Sequence, residues 1–568
     1  MIIIDYDRRK EAFYLKGDTY QAKDEIKSIL VGSSAWKWNG IVDSYWGTKS
    51  YQLAIHTSNI LSAEISDEAQ KAIDKKESEE KTRTLASFSD NSVLNIPCRE
   101  GLSYKPYQKA GIEFMLKSKN VLLADQMRLG KTIQTIGFIN AEKRIDKVLV
   151  VCPSTLKLNW AKELSKWLTR PFDIHIYIDG EISGTSFSVP VKGTNFTYGT
   201  MIPKNAGIII INYEQTIREK IFNNLIERNY DLMVIDESHR LKSMETKRTI
   251  SIYGNEKEKI VGIIDKSWKK ICITGTPIPN RVVEIWPTIS KLCPERFGHF
   301  FNFVTKYCDA KQETIKKYNK DKGKSISKNI WKFNGASNLD ELQKELRGSI
   351  MLRRLRKDVL PELSEKERES IIIPVDAKDI SSLIKMEANE YENKLKLTNS
   401  ISLAFHEIAP IRHEIALKKV PFVIEYIQDF ISDNEDQKVI VFAHHKDVVQ
   451  QLYKGLEDYK PVLITGDTDI KQREKSEDYF RNSPDVKVII CSILAAGVGI
   501  DLSASSFVVF AEIDWVPGNM FQAEDRSVNI HKKDSISINY MVFDGSLDEK
   551  IVKTLIEKQA IADKALNV

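Results

Sequence analysis

The sequence predicts an α/β protein with two parallel-sheet lobes, helical insertions between them and a small N-terminal α+β domain. Near-continuous apolar runs of strand length alternate with helical patterns, as expected for strands buried on both faces of a parallel sheet. This alternation occurs twice, and a mostly helical, strongly charged stretch separates the two series. The chain has 568 residues, too many for one hydrophobic core, so we expect three or four domains.

The strands of the two series can be placed on the chain. The first series contains NVLLAD (120–125), KVLVVCP (147–153), GIIIIN (207–212), DLMVID (231–236) and KKICITG (269–275). The second contains KVIVFAHH (438–445), PVLITG (461–466), VKVIICS (486–492) and SFVVFAE (506–512). Length and β-branched content favour strands over buried helix segments in each case.

We divide the chain into six parts on these patterns. They are an accessory domain (1–66), a charged linker (67–98), the first lobe (99–292), a helical insertion (293–415), the second lobe (416–545) and a C-terminal helix (546–568). The linker pattern fits a helix or a mobile segment. Ser546 and Glu549 have the spacing of a capping box at the start of the last helix.

The accessory domain is rich in aromatic residues, and their role is left open by the sequence. The five that stand out are Trp36, Trp38, Tyr45, Trp46 and Tyr51. Core packing explains them, and so does stacking on nucleic-acid bases.

Composition excludes several classes of protein. Apolar residues make up 42% and charged residues 29% of the chain, as in soluble globular proteins. No apolar run approaches the roughly 20 residues that span a bilayer, and MIIIDYDRRK is not a signal peptide, so we expect no membrane partner. The six cysteines lie far apart, which argues against structural zinc and disulfides and favours a reducing interior.

The net charge of +5 is unevenly distributed. The stretch 311–329 has seven lysines and two acidic residues, Glu313 and Asp321. Its net positive charge therefore equals that of the whole chain. Either this stretch meets nucleic-acid phosphates or it is a solvated, flexible lysine loop. If the lysines meet phosphate, affinity will fall steeply with salt; we name Lys316, Lys317, Lys320, Lys322 and Lys324 for this role.

The stretch VLLADQMRLGKTIQT (121–135) has the features of a phosphate-binding loop between a strand and a helix. Gly130 lets the backbone close around phosphate, Lys131 would neutralise the β- and γ-phosphates, and Thr132 would ligate Mg²⁺. The usual opening glycine is replaced by Asp125, and the bulky Arg128 precedes the Gly-Lys pair. A chance match on a strand-to-helix turn is therefore the alternative.

A pair of carboxylates supports the phosphate-loop interpretation. The buried run DLMVID delivers Asp236 and Glu237 to the carboxyl end of a strand, where α/β proteins bind ligands. Asp236 would hold Mg²⁺, and Glu237 would polarise an attacking water. In the second lobe, Arg526 within FQAEDRSVN (521–529) is a candidate arginine finger. If Lys131 and Arg526 meet around one ATP, nucleotide binding closes the cleft and release opens it.

The motifs together resemble those of the Swi/Snf-type ATPases of helicase superfamily 2. The resemblance covers roughly residues 100–550, in the family's order. It rests on YKPYQKAGIEFM (104–115), VVCPSTLKLNWAKEL (150–164), ICITGTPIPNRVVEIWP (271–287), MLRRLRKDVLPELSEK (351–366), AAGVGIDL (495–502) and FQAEDR (521–526). It implies two RecA-like lobes, with ATP and Mg²⁺ as nucleotide and metal.

Within that family the chain looks most like the annealing-helicase, HARP-like branch, whose members rewind DNA and remodel stalled forks. The segments that carry this likeness are NWAKEL, VFAHHK (441–446), CSILAAGVGI (491–500) and VFAEIDWVPGNMFQAEDR (509–526). Members of the branch have an accessory module ahead of the motor, the place that residues 1–63 occupy here. The Lys/Ile/Asn-rich composition suggests an AT-rich genome, viral or bacterial.

The resemblance implies further roles by position. It implies nucleotide contacts by Gln108 (to adenine), Met127, Arg128, Leu129, Gly130, Lys131, Thr132, Gly499, Asp501 and Gln522. It implies DNA-backbone contacts by Pro153, Ser154, Thr155 and Ser492, and coupling of hydrolysis to movement by Thr274, Gly275 and Thr276. Ordinary turn chemistry is the alternative for the Ser and Thr positions. His444 and His445 are adjacent on a strand and point to opposite faces, so we expect no metal there.

Three positions depart from the family pattern. Gln126 and Arg128 replace the usual Glu and Gly of the loop, and Asn529 stands where a second arginine normally follows Arg526. We expect Arg128 to have an ordinary backbone conformation, with its side chain outside the loop or near phosphate. We also expect Arg526 to suffice alone; Lys532 or Lys533 acting beside it, or weak turnover, are the alternatives.

We therefore expect an ATP-dependent translocase on duplex, forked or four-way DNA that drives annealing, branch migration or fork remodelling. A DNA-binding scaffold with weak ATPase activity and a remodeller of protein–DNA complexes are the alternatives, and an RNA substrate stays open because phosphates carry no base identity. We expect a monomer that works beside a single-strand-binding protein. Its compartment would be a bacterial or host cytoplasm with the nucleoid, or a nucleus in a eukaryote.

Overall fold

The computed structural model describes residues 1–31, 34–39, 45–178, 191–319, 324–360, 366–375, 377–398, 401–496, 500–528, 535–555 and 557. The chain divides into two compact units, Met1–Leu355 and Arg356–Ile561. Each unit contains one large parallel sheet covered by helices, which confirms the α/β fold class predicted from the sequence.

The N-terminal module is a small antiparallel sheet with three helices. Its strands are β1 (Ile2–Asp7), β2 (Ala12–Gly17), β3 (Leu30–Val31), β4 (Ser34–Ala35), β5 (Lys37–Asn39), β6 (Tyr45–Thr48) and β7 (Glu64–Ile65), and its helices are α1 (Lys23–Ser28), α2 (Tyr51–Leu61) and α3 (Asp67–Phe88). The sheet order is β5-β6-β2-β1-β7, and β7 is parallel to β1.

The structure separates the aromatic residues of this module into two groups. Trp36, Trp46 and Tyr51 are buried in the core, where Trp36 Nε1 donates a hydrogen bond to Thr57 Oγ1 at 2.7 Å. Trp38 is 54% exposed, and Tyr45 is half-buried. Core packing therefore accounts for three of the five.

Helix α3 spans most of the stretch expected to be a linker, and it is packed against the first lobe. Ser66 caps its start by accepting a hydrogen bond from Ala69 N at 3.2 Å. Further along, Glu80 makes an ion pair with Arg296, which also bonds Glu345 at 2.8 Å. This half-buried cluster fixes the module to the lobe within the first unit.

The first lobe is built on an eight-stranded sheet with order β11-β10-β12-β9-β13-β14-β8-β17, in which all neighbours are parallel. Its strands are β8 (Val121–Leu123), β9 (Val148–Cys152), β10 (Asp173–Tyr177), β11 (Asn195–Gly199), β12 (Ile208–Asn212), β13 (Tyr230–Asp236), β14 (Ser267–Ile273) and, after a separate hairpin, β17 (Met351–Leu352). Strands β8, β9 and β12 are buried throughout, because helices cover both faces.

The helices of this lobe follow the strands in chain order. They are α4 (Pro106–Lys117), α5 (Lys131–Ala141), α6 (Lys157–Trp167), α7 (Tyr213–Thr216), α8 (Glu219–Ile226), α9 (Lys247–Tyr253), α10 (Trp286–Leu292), α11 (Pro294–Phe297), α12 (Phe300–Tyr307) and α13 (Leu339–Ser349). Short 3-10 helices occur at Ser154–Leu156, Ser238–Leu241, Ile263–Lys266 and Val282–Ile285.

Residues 293–415, expected to be a helical insertion, also contain strands. An antiparallel hairpin is formed by β15 (Lys311–Asn319) and β16 (Lys324–Lys332), so its described residues are not a loop. Strand β17 joins the first sheet, and β18 (Lys366–Ile373) joins the second. Short or polar strands such as these lack the apolar pattern on which the expectation was based.

The second unit has a six-stranded parallel sheet with order β18-β23-β22-β19-β21-β20. Its other strands are β19 (Val439–Ala443), β20 (Val462–Ile464), β21 (Val488–Ser492), β22 (Phe507–Phe510) and β23 (Ile536–Phe543). Its helices are α14 (Arg356–Val359), α15 (Lys378–Thr398), α16 (Ile401–Glu407), α17 (Ala409–Asp433), α18 (Lys446–Gly455), α19 (Ile470–Asn482), α20 (Ile493–Ala496) and α21 (Pro517–Glu524), with a 3-10 turn at Glu457–Tyr459.

The predicted C-terminal helix is described over residues 547–555, and most of the rest of 546–568 lies outside the described residues. Ser546 Oγ accepts a hydrogen bond from Glu549 N at 3.4 Å, which is one half of the predicted capping box, while the Glu549 carboxylate accepts from Gly545 N. Among the described residues, no helix combines the length and apolar character needed to span a membrane.

Candidate functional site

The loop between β8 and α5 closes around the ammonium group of Lys131. Gly130, directly before the first residue of α5, has φ +69°. Lys131 Nζ donates to the backbone oxygens of Asp125 at 2.9 Å and Gln126 at 3.1 Å. The loop thus places a cation beside the N-terminus of an eleven-residue helix, and both features attract phosphate.

Two other segments are packed tightly against this loop. A Cβ atom on Gly130 would lie 2.4 Å from Gln108 Nε2 on α4. A Cβ on Gly275 would lie 2.6 Å from Met127 Cγ and 3.5 Å from Lys131 Nζ. The positive φ favours glycine at 130, and a side chain at 275 would displace Met127. Residues from three distant parts of the chain therefore meet at the loop.

Asp125, in place of the usual glycine, is half of a buried ion pair. Asp125 Oδ1 accepts hydrogen bonds from Arg354 N at 2.9 Å and Nε at 3.0 Å, and Arg354 Nη2 bonds Oδ2. Gln134 completes the arrangement, because its Nε2 donates to Asp125 Oδ2 at 3.0 Å and to Leu129 O at 3.1 Å. Buried pairs are stable when every lone pair and proton is used in this way.

The neighbouring Arg353 also holds the loop. Its Nη1 donates to Ala124 O at 2.7 Å and to Gly275 O at 3.4 Å. Both arginines reach the site because β17 pairs with β8. The sequence analysis included Arg353 and Arg354 in the motif at 351–366 but gave them no role. The signal for such a role was the occurrence of two consecutive arginines directly after a short apolar run.

The backbone of Arg128 does not have the ordinary conformation that we expected. Its φ is +69°, in the left-handed region where side chains are disfavoured. The expectation was wrong because the loop must turn sharply between Asp125 and Gly130, and the position that glycine occupies in the family pattern needs a positive φ. Strain of about 1–3 kcal/mol follows from such a conformation.

Asp236 ends β13 with its carboxylate buried. Its Oδ2 accepts a hydrogen bond from Trp160 Nε1 at 2.8 Å, and its Oδ1 accepts from Glu237 N at 2.9 Å. Burial and the neighbouring Glu237 carboxylate raise the pKa of Asp236 to about 7, although Trp160 and Lys131 oppose the shift. The site is thus short of positive charge, and each carboxylate oxygen keeps a further lone pair for a cation.

A histidine that sequence reasoning missed joins the acidic pair to the segment after β14. His239 Nδ1 lies 2.9 Å from Thr274 Oγ1 and 3.2 Å from a carboxylate oxygen of Glu237. Thr274 Oγ1 also accepts a hydrogen bond from Thr276 N at 3.0 Å. Glu237 itself has φ +53°. The D-E-S-H motif contained His239, and its position three residues after Asp236 was the signal.

The residues expected to contact DNA from the first lobe follow β9. Pro153 is followed by the 3-10 turn Ser154–Leu156, in which Ser154 is exposed and Thr155 is half-buried. They lie at the carboxyl end of a central strand, the edge at which open parallel sheets bind ligands.

The second unit brings another set of expected residues together. Leu502 N donates to Arg526 O at 3.0 Å, which places the segment of Asp501 beside Arg526. Gln522 is buried on α21, and Ser492 ends β21, where its Oγ accepts from Ala495 N at 3.3 Å. Gly499, Asn529, Lys532 and Lys533 lie outside the described residues.

The end of α21 is held by a buried charge cluster. Arg368 Nη2 bonds Glu524 at 2.7 Å and Lys366 Nζ bonds it at 3.0 Å, while Arg356 bonds Asp525 at 2.9 Å. Burial alone would raise the pKa of both carboxyls, but these cations hold the pKa of each below its usual range. Arg526 therefore follows a rigid anchor.

Most of the expected residues are thus gathered into two groups, one in each unit. Gln108, the loop residues, Asp236, Glu237 and Thr274–Thr276 form the first, and Asp501, Gln522 and Arg526 form the second. Among the described side chains, no group of three or more His, Cys, Asp or Glu has the arrangement of a metal site.

Replacing Asp125 with glycine gives the opening residue of the general phosphate-binding loop, yet we expect it to destabilise the protein. Arg354 would keep its charge in a buried position without the carboxylate, at a cost of about 3–5 kcal/mol in the free energy of unfolding. Urea denaturation of Asp125→Gly measures this. Gln126→Gly adds similar chain flexibility next door and should cost about 1 kcal/mol or less; equal losses in the two variants would refute the assignment.

Substitutions at Arg128 test its backbone strain. Arg128→Gly and Arg128→Ala both remove the side chain, but only glycine adopts a positive φ without a steric penalty. We expect the glycine variant to be more stable than the alanine variant by about 1 kcal/mol, measured by urea denaturation. The opposite order would show that the loop leaves the left-handed region in solution.

Comparisons with known proteins show which family the chain is similar to. A family model described as the SNF2-related domain matches residues 107–411, and one described as the helicase conserved C-terminal domain matches residues 419–531. The human DNA annealing helicase and endonuclease ZRANB3 is 31% identical over 494 residues, covering 85% of this chain and 42% of that protein.

Two further proteins are similar to the chain. A Xenopus tropicalis protein named SWI/SNF-related matrix-associated actin-dependent regulator of chromatin subfamily A-like protein 1 is 29% identical, covering 83% of this chain and 46% of its own. The Sulfolobus solfataricus SWI2/SNF2 ATPase core, solved in complex with dsDNA, is 23% identical with a TM-score of 0.37 and covers 84% of this chain and 94% of its own. The chain spans less than half the length of the two curated relatives. The SNF2-related model matches more than half of the residues, and the chain belongs to the SNF2-related family.

Proposed function

We propose that this protein is a DNA-dependent ATPase that moves on duplex or branched DNA and drives annealing, branch migration or fork remodelling. One observation carries the proposal: the loop lysine, the acidic pair and the segment after β14 form one connected site. Gly275 lies against Lys131, and Thr274 is bonded to the histidine that contacts Glu237. The names of the human and Xenopus relatives, an annealing helicase and a SWI/SNF-related regulator of chromatin, point in the same direction.

The first lobe would hold ATP through the loop residues Met127–Thr132, with Lys131 on the β- and γ-phosphates and Gln108 on adenine. Thr132, in the first turn of α5, and Asp236 would hold Mg²⁺, since hydroxyl and carboxylate oxygens suit this ion. The buried carboxylate of Asp236, beside that of Glu237, fits a cation. Bound Mg²⁺ would neutralise charge on the phosphate oxygens.

Glu237 would polarise the water that attacks the γ-phosphate. Its contact with His239, which is bonded to Thr274, gives the site a route by which the nucleotide state affects the segment Thr274–Thr276. This segment would couple hydrolysis to movement. Because Gly275 contacts the loop and its carbonyl oxygen accepts a hydrogen bond from Arg353, a shift of the loop would displace the segment as well.

The second unit would complete the site when it closes on ATP. Arg526 would act on the γ-phosphate, with Gly499, Asp501 and Gln522 near the nucleotide. DNA would be held by Pro153, Ser154 and Thr155 on the first lobe and by Ser492 on the second. We expect a monomer in a compartment that contains DNA, working beside a single-strand-binding protein.

ATP turnover measured with several nucleic acids tests this function. We expect little turnover by the protein alone and strong stimulation by duplex, forked or four-way DNA. Lys131→Ala should abolish turnover, and Arg526→Ala should lower it on the order of 10³–10⁵-fold. Lys143→Ala, an exposed lysine of the same lobe, is the control, and Asn529→Arg should leave turnover unchanged if Arg526 suffices.

The other outcomes separate the alternatives. Equal turnover with and without nucleic acid would contradict the proposal, and an unaffected Arg526→Ala variant would remove the finger assignment. DNA binding that is insensitive to Lys131→Ala, in a parent protein without turnover, would indicate the scaffold. Stimulation of ATP turnover by RNA and not by DNA would show that the substrate is RNA. Turnover stimulated only by protein-bound DNA would indicate a remodeller of protein–DNA complexes.

We further propose that the N-terminal module recognises single-stranded bases at branches. Alternation along β2, β5 and β6 places Tyr14, Lys37, Asn39 and Tyr45 on the face away from the core. Tyr45 is held there, because its hydroxyl accepts from Asn39 Nδ2 at 3.1 Å, and Lys10 Nζ lies 4.8 Å from its ring centroid. An ordered ring among lysines is a suitable platform for a base.

Tyr45→Ala should weaken binding to forked DNA with single-stranded arms by about 1–3 kcal/mol, the worth of one stacked base. Binding to blunt duplex should not change, since its bases are already stacked. Tyr20→Ala is the matched control, because Tyr20 is 85% exposed elsewhere on the module. Fluorescence anisotropy measures both; equal affinities of the two variants for forked DNA would contradict the proposal.

A further inference from the structure

The hairpin of β15 and β16 is an extended two-stranded ribbon inserted into the first lobe. Nine residues of each strand pair in register, from Lys311 opposite Lys332 to Asn319 opposite Lys324. At about 3.4 Å per residue, the ribbon is about 30 Å long. We call residues 311–319 and 324–332 the basic ribbon.

The register divides the lysines of the basic ribbon unequally between its two faces. Paired residues, and alternate residues along each strand, belong to the same face. One face, the lysine face, carries Lys311, Glu313, Ile315, Lys317 and Asn319 opposite Lys332, Ile330, Lys328, Ile326 and Lys324. The other carries Gln312, Thr314, Lys316 and Tyr318 opposite Trp331, Asn329, Ser327 and Ser325. Five lysines therefore share one face, and a single lysine belongs to the other.

Side chains of both faces are described at the base of the ribbon. Trp331, on the face with one lysine, packs edge-on against Phe301 of α12, with ring centroids 4.9 Å apart, and is itself 41% exposed. On the lysine face, the side chains of Lys311 and Glu313 are 71% and 50% exposed, and that of Lys332, which is ion-paired with Glu313, is 25% exposed. The lysine face is thus open to solvent at the base.

We propose that the lysine face of the basic ribbon binds along a groove of duplex DNA, with its lysines on the phosphates at the groove's edges. The site rests on the proposed function and adds a contact outside the two groups of residues described above. The major groove of B-DNA is about 12 Å wide and admits a two-stranded ribbon. Strands about 4.8 Å apart fit that width, and the ribbon's length approaches one helical turn of about 34 Å.

The composition of the lysine face favours duplex DNA over other polyanions. Single-stranded nucleic acid is held chiefly by aromatic stacking, and the residues of this face are Lys, Ile, Glu and Asn. The major groove of A-form RNA is too narrow for side chains to enter.

The salt dependence of duplex binding tests the proposal. Each phosphate contact contributes about 0.9 to the slope of log affinity against log salt for B-DNA. The triple variant Lys317→Gln, Lys324→Gln and Lys328→Gln should make that slope shallower by about 2–3. Turnover without DNA should match that of the parent, which shows that the site in the first lobe is intact.

Adjacent lysines provide a matched pair of variants. Lys316 and Lys317 are neighbours in the chain but belong to opposite faces of the ribbon. Lys317→Gln should make the slope shallower by about 0.9, and Lys316→Gln should leave it unchanged. Equal slopes for the parent and the triple variant, or equal effects of the two single variants, would overturn the proposal.

Two further outcomes are distinguishable from these. A slope that changes only with single-stranded DNA or duplex RNA would overturn the choice of duplex DNA. Absence of DNA-stimulated turnover in the parent, together with a slope that responds to the triple variant, would remove the motor function but support the binding site. DNA-stimulated turnover in the parent, together with a salt slope that the triple variant does not change, would support the motor function but overturn the binding site.

Discussion

The loop between β8 and α5 depends on the buried ion pair between Asp125 and Arg354. In most phosphate loops a glycine begins the turn after the strand. Here Asp125 occupies that position, and its carboxylate accepts three hydrogen bonds from Arg354. The loop's shape is therefore fixed by a residue 229 positions away. It follows that the loop reaches its final form only when β17 has paired with β8, near the end of the first unit.

A single basic segment serves both units in this way. Arg353 and Arg354 hold the loop between β8 and α5 in the first unit. Arg356, Lys366 and Arg368 neutralise the buried Glu524 and Asp525 of the second unit. A buried carboxylate without a cationic partner would destabilise the fold, so each unit depends on arginines or lysines from this segment. This explains the density of cations around the unit boundary better than a solvated linker does, because most of these side chains are buried or half-buried in ion pairs.

The sequence predicted the central strands well, because residues buried on both faces must be apolar throughout. Several residues that it predicted for a nucleotide site lie close together in the first unit, because strand order brings the loop after β8, the end of β13 and the segment after β14 to one edge of the sheet. It missed the polar edge strand β18 and the two-residue β17, whose formation depends on pairing partners rather than on pattern. The conformation of Arg128 was predicted wrongly, since a residue's φ is imposed by the closure of the whole loop. Local spacing gave a signal for Arg354 and His239, but it could not identify their partners Asp125 and Thr274, which are distant in the chain.

The same network connects the N-terminal module to the loop between β8 and α5. Arg347 of α13 donates to Arg353 O at 2.9 Å and to Ser87 O of α3 at 3.3 Å, and Arg353 bonds the loop. The Glu80–Arg296–Glu345 cluster secures α3 to the same lobe. Such a continuous set of buried and half-buried bonds makes the module an extension of the first lobe rather than a tethered domain. A substrate bound by the module would therefore have a fixed position relative to the loop between β8 and α5.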